Sequence, residues 1–179
     1  MTSRQSPDPD AEQVILVDPD DRPLGTCEKL EAHRRGLLHR AVSAFVFDSS
    51  GRQMLQRRAG DKYHSANLWS NACCSHPRPD EAAAAAITRR VWEEMGITPA
   101  LEPRFVFTYR AELEHGLVEH ELDHIFTGRF DGAPTPNPVE VSEWRWVTAN
   151  ALAAEVAFAP ENFTAWFRLL LPMVHRHLP

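Results

Sequence analysis

Cysteine is scarce in this chain of 179 residues, and an excess of positive charge is absent. The three cysteines, Cys27, Cys73 and Cys74, cannot all pair, and two of them are neighbours, which argues against a disulfide framework. Lys and Arg number 19 against 25 Asp and Glu, giving a net charge of −6 and a pI near 5.8. That balance argues against a nucleic-acid-binding surface, while leaving room for a local basic pocket. No apolar run is long enough to cross a bilayer, and the polar N-terminus lacks a secretory apolar region. No membrane partner is therefore expected, and the expected location is the cytoplasm. There is no internal repeat and no linker; the length suits one domain with a sizeable core, and a monomer is favoured.

What is present can be followed along the chain. Residues 1–13 are rich in Pro, Ser, Asp and Gln and predict a disordered lead, with a single domain over 14–179. VILVDPDDRPLG predicts a short strand and a turn through Asp18 to Asp21; EKLEAHRRGLLHR then contributes Lys29, His33 and His39. AVSAFVFDSSGRQMLQRR predicts a hairpin with its turn at Ser49 to Gly51. Arg57, Arg58 and Lys62 follow it, cations of the kind a diphosphate needs.

The stretch from Trp69 to Ile97 organises the rest. Strand alternation places Cys74 and His76 on one face and turns Cys73 to the other, as a packing residue. A helix is predicted from Asp80, as its cap, to a stop at Gly96, with Ala84, Ile87, Val91 and Met95 as its apolar stripe. RFVFTYRAEL alternates as a half-buried strand, and LVEHELDHIFTGRF returns beside it after a turn at Glu114 to Gly116. Glu119, Glu121 and Asp123 share one face of that return strand, and they repel unless solvent on an exposed edge, or a cation, screens them. A short strand, EWRWV, precedes a helix near Ala149 to Val156. A final helix from about Pro160 is expected to bury Phe163, Trp166, Phe167 and Leu170, with Pro172 bending or ending it. The fold class expected from this pattern is α+β or α/β around a mixed sheet.

The helix carries Glu81, Arg89, Arg90, Glu93, Glu94 and Gly96 at a spacing that resembles the Nudix box. Ser75 stands where that box has a glycine, and Arg90 where a hydrolase has the first of its clustered metal-binding glutamates. The run Asn71-Ala72-Cys73-Cys74-Ser75-His76-Pro77 narrows the resemblance to the type I isopentenyl-diphosphate delta-isomerases, and the similarity extends from about Val14 to the C-terminal helix. The resemblance implies a Nudix-type mixed sheet sandwiched between helices, with its core at about residues 37–170 and an N-terminal extension closing the site. It implies interconversion of isopentenyl and dimethylallyl diphosphate, with Cys74 and Glu121 as proton-transfer groups facing each other across the substrate and Tyr109 beside Glu121. His33, His39, His76, Glu119 and Glu121 match the family's five metal ligands, a set that suits Mn²⁺ or Zn²⁺. Glu94 matches a Mg²⁺ site on the diphosphate, to which the Cys74 carbonyl can add, and Lys29, Arg58 and Lys62 match its cationic grip.

Two departures stand out. Glu161 occupies the place of a tryptophan that many members carry, so that Trp166 or Phe163 is left to face the carbocation; and five residues separate His33 from His39 where some members have six. The alternative is a Nudix hydrolase of a nucleoside or other diphosphate, against which Arg90 counts.

Overall fold

A computed structural model describes residues 12–177. Most of the expected N-terminal lead lies outside them, but Glu12 and Gln13 do not. Gln13 opens strand β1 (Gln13–Val17), and the Glu12 carbonyl accepts the Lys29 N–H at 2.8 Å. β1 turns back into β2 (Pro23–Glu28), and the Glu28 carboxylate then caps a helix, α1 (Lys29–Arg35), by accepting from Leu30 and Glu31 N–H groups. This helix was not among the elements expected from the sequence; at two turns it is too short to announce itself by periodicity. Gly36 ends it in a left-handed conformation, φ 61°, which glycine adopts without strain.

The sheet is built on β3 (His39–Phe47), whose near-continuous apolar run is buried on both faces as a central strand requires. The hairpin expected of this region exists only at its base. β3 meets β4 (Gln53–Arg58) at a single pair, Phe47 with Gln53, and the two then diverge. β3 instead pairs in parallel with β8 (Val118–Arg129) over nine residues, and antiparallel with β6 (Cys73–Ser75). β4 pairs with β5 (Trp69–Ser70) and β9 (Val141–Val147), while β7 (Leu101–Glu112) lies on the edge beside β8. The acidic strand β8 is therefore interior, not the exposed edge that would have excused its carboxylates.

Helices cover the two faces. α2 (Ala83–Met95) packs Ala86, Ile87, Val91 and Met95 against Val42, Ala44, Cys73 and Phe126. Its stripe uses Ala86 where Ala84 was expected, and the helix begins later than expected: Asp80 stands in left-handed backbone, φ 64°, and caps nothing, and Ala82 is the N-cap. On the opposite face α4 (Ala165–His177) buries Trp166, Phe167, Leu170 and Val174 against Phe45, Leu55, Ile125 and Leu152, the last from α3 (Ala149–Phe158). Pro172 neither ends α4 nor is buried, and Phe163 joins this core from just before the helix. Among the described residues no helix is long and apolar enough to cross a membrane.

Candidate active site

Strand pairing sets the site. His39 is the register partner of Glu121 across β3 and β8, and Glu121 that of Tyr109 across β8 and β7, so three neighbouring strands present them in one row. His33 arrives from α1 and His76 from just beyond β6. His33, His39, His76 and Glu121 offer ligand atoms within 4.8 Å of one another, and Glu119 joins through His33, whose Nε2 lies 3.1 Å from its Oε2. Residues from four separate elements thus converge.

Whether these residues suit a cation can be judged from their hydrogen bonds. His33 Nδ1 lies 2.7 Å from the Lys29 carbonyl and His39 Nδ1 2.8 Å from the Leu37 carbonyl. A carbonyl only accepts, so Nδ1 carries a hydrogen in each ring and Nε2 is the nitrogen turned inward, a lone-pair donor to a cation once it holds no hydrogen of its own. His39 Nε2 is buried without a hydrogen-bond partner. Glu119 and Glu121, both nearly fully buried, approach each other closely. Inward-facing imidazole nitrogens and paired buried carboxylates fit a divalent cation held by nitrogen and oxygen, and the carboxylates are costly to bury without one.

Cys74 and Glu121 occupy neighbouring places. Cys74 Sγ and carboxylate oxygens of Glu121 and Asp123 lie within 4.8 Å of one another. An alkene lying between two groups needs about 3.5 Å on each side, roughly 7 Å in all. As the side chains stand, the two therefore form one wall of the pocket and do not face each other across it. Burial, reinforced by Glu121 and Asp123, pushes the Cys74 thiol well up, so it is protonated at neutral pH. Burial alone would raise Glu121 too, but His39 beside it outweighs this and holds the carboxyl down at about 2. The Tyr109 hydroxyl donates to Glu121 Oε2 at 2.5 Å. Behind Cys74, its register partner Ser43 donates to Asp123 Oδ2 at 2.7 Å, while Asp123 Oδ1 has no partner.

The pocket in front of these groups is a cavity of about 250 Å³, below the ~300–1,000 Å³ usual for drug-sized ligands and suited to a smaller molecule. Lys29, Arg58, Lys62, Arg90 and Trp166 line it. Most of these cations are already matched: Lys29 with Glu12 at 2.8 Å, Lys62 with Glu140, Arg90 with Glu94 at 2.7 Å. Arg58 is not. Its Nη2 reaches only the His64 carbonyl at 3.3 Å, its Nε is buried without a partner, and its guanidinium stands 5.4 Å from the centre of the Trp166 ring. Glu94, which also lines the pocket, accepts from Gln56 at 3.0 Å as well as from Arg90. Arg90, buried and bonded to Glu93 and Glu94, neutralises the helix carboxylates on which a several-metal hydrolytic site would depend. Trp166 lines the pocket and is fixed by its Nε1–H to Ser70 Oγ at 3.0 Å, whereas Phe163 is packed into the α4 core and Glu161 is exposed.

Known proteins place the chain in a family. The NUDIX domain family matches residues 37–167. An isopentenyl-diphosphate Delta-isomerase of Burkholderia multivorans is 53% identical, over 92% of this chain and 97% of that protein. The chain belongs to this isomerase family within the NUDIX domain proteins. A further isopentenyl-diphosphate Delta-isomerase, from Streptomyces griseus, is 48% identical over 90% of this chain and 83% of its own. Among solved structures, a Deinococcus radiodurans protein superposes with a TM-score of 0.73 at 22% identity, covering 94% of this chain and 100% of that one. At that identity it establishes the fold, the mixed sheet between helices that the family implies.

Two residues of the site escaped the sequence. His64, 6% exposed, lines the pocket with Nε2 3.5 Å from Glu119 Oε1, but one histidine in a loop carries no pattern. Asp123 was visible only as a third acid on a strand. Its place behind Cys74 follows from β3 and β8 being parallel neighbours, which local periodicity cannot reveal.

Proposed function

We propose that this chain interconverts isopentenyl and dimethylallyl diphosphate by moving one proton on and another off an allylic unit. What carries the proposal is a single juxtaposition: a protonated thiol, an ionised carboxylate and a phenol on one wall of a pocket whose Arg58 has no acidic partner among the described residues.

Protonating an unactivated alkene yields a tertiary carbocation, and a neighbouring carbon must then lose a proton before water can trap the cation. Cys74 and Glu121 are the proton-transfer groups. The conversion is reversible, so each gives a proton in one direction and takes one in the other. Tyr109 steers the proton on Glu121 through its hydrogen bond. The Trp166 ring faces the transient cation, worth about 1–2 kcal/mol when desolvated. Arg58 receives the diphosphate, while Lys29 and Lys62 join by exchanging Glu12 and Glu140 for phosphate oxygens.

His33, His39, His76, Glu119 and Glu121 would hold Mn²⁺ or Zn²⁺, and Glu94 with the Cys74 carbonyl would hold Mg²⁺ against the diphosphate. When bound, these cations supply charge: they offset the buried carboxylates and the phosphates.

The test is incubation with isopentenyl diphosphate in deuterium oxide with Mg²⁺ and Mn²⁺ present. Deuterium in dimethylallyl diphosphate is the expected result; release of phosphate with no deuterated product would defeat the proposal in favour of a hydrolase. The role of Arg58 is tested separately. A charge-assisted contact of about 1.5–3 kcal/mol means that Arg58→Ala raises KM roughly 10- to 100-fold at nearly constant kcat. A fall in kcat alone would place Arg58 elsewhere in the mechanism.

A further inference from the structure

His64 takes no part in the chemistry above, yet much of its surroundings is arranged to hold it. Its ring stands edge-on to Tyr63 at 4.4 Å and to Trp166 at 5.8 Å, and is stacked with His33 at 5.9 Å. The loop that delivers it bends through left-handed backbone at Ser65 (φ 50°) and Asn67 (φ 61°), a strain that neither residue type relieves as glycine would. Arg58 donates to its carbonyl, and the Ser65 N–H is received by Glu114 at 3.3 Å.

Glu119 lies between two imidazoles that differ in kind. His33 Nε2 is 3.1 Å from Oε2, and its Nδ1 hydrogen is committed to the Lys29 carbonyl. Nε2 is thus the nitrogen it turns to that oxygen, the one a cation would take from it. His64 Nε2 is 3.5 Å from the other oxygen, Oε1, while its Nδ1 lies 3.3 Å from the Ser65 hydroxyl. A hydroxyl can donate to Nδ1, and the ring hydrogen then sits on Nε2, the nitrogen nearer Glu119.

We infer that His64 is a positioning residue for the metal centre: its Nε2–H anchors Glu119 Oε1, so that Oε2 is aimed at the cation that His33 also binds. His33 is then a ligand and His64 a donor, although both face the same carboxylate. The assignment holds only if His33, His39, His76, Glu119 and Glu121 are the cation's ligands, as proposed above. Partners that orient a ligating side chain commonly carry 10- to 100-fold of metal affinity, and a carboxylate with one oxygen untethered rotates more freely.

The experiment uses the full chain and Mn²⁺ alone, with free Mn²⁺ followed by electron paramagnetic resonance. His64→Ala is expected to weaken binding by ~10- to 100-fold. His64→Gln, whose amide N–H reaches the place of Nε2–H, is expected to restore affinity to within about threefold of the parent, because it can donate to the same oxygen. If alanine leaves a hole that unfolds the chain, His64→Phe replaces it, keeping a ring against Tyr63 and Trp166 without an N–H. Parental affinity in the alanine or phenylalanine variant overturns the inference. So does a glutamine variant as weak as alanine, which would point to packing or direct ligation. His39→Ala is the control for the metal site itself: if it too binds Mn²⁺ as the parent does, the ligand assignment fails, independently of His64.

Discussion

Replacing Cys74 with alanine should reduce isomerisation by ~10²–10⁴-fold, the usual worth of a positioned proton-transfer group, while leaving the protein folded. Cys74 is only partly buried and packs at the margin of the α4 core, unlike the fully buried Cys73 on the α2 side. Losing one sulfur there costs about 1 kcal/mol, or roughly 2–4 °C in Tm for a chain of this size. The expected signature is a large fall in kcat with an almost unchanged melting curve. KM should move little, because Arg58 and the two lysines are left in place. Undiminished turnover by the variant would remove Cys74 from the mechanism. A collapse in Tm of tens of degrees would instead make the thiol a packing element.

The second large effect concerns metal removal. Stripping the protein with a chelator should lower Tm by roughly 5–10 °C, since a ligand held at 100 times its Kd stabilises by about 2.7 kcal/mol. Activity should disappear with it. The reason is local: without a cation, Glu119 and Glu121 meet in a buried site beside the unpartnered Nε2 of His39. Calorimetry after adding back single metals separates two roles. Mn²⁺ or Zn²⁺ should restore Tm, because imidazole suits borderline ions; Mg²⁺ alone should not, because it prefers oxygen ligands. A melting temperature indifferent to verified metal removal would contradict the assignment of the five ligands.

How much of this was legible in the sequence depended on whether a feature was local. The alternation from Phe105 to Tyr109, the turn at Glu114 to Gly116, the opposite facing of Cys73 and Cys74 and the stop at Gly96 all follow from neighbouring residues, and the structure has them. The ligand set was legible through residue type and resemblance together. The pairing of strands was not: the turn at Ser49 to Gly51 suggests that β3 and β4 lie side by side, whereas β3 spends its length against β8, some eighty residues away. That same long-range pairing converts Glu119, Glu121 and Asp123 from an apparently exposed row into buried groups. Asp80 misled for the opposite reason. It has the composition of a cap, but it sits at the third place of a turn from Arg78 to Glu81, closed by the Glu81 N–H on the Arg78 carbonyl, and the helix waits until Ala83.

The row of His39, Glu121 and Tyr109 across three strands determines where this chain can change in length. One residue inserted within β8 ahead of Glu121 would rotate the carboxylate to the α2 side and exchange it for its neighbour, so the sheet could survive while the chemistry vanished. Between His33 and His39 the connection passes through Gly36 and a short turn, where a residue gained or lost shifts no strand register. Drift in this lineage should accordingly accumulate at the helical ligand and spare the strand-borne ones.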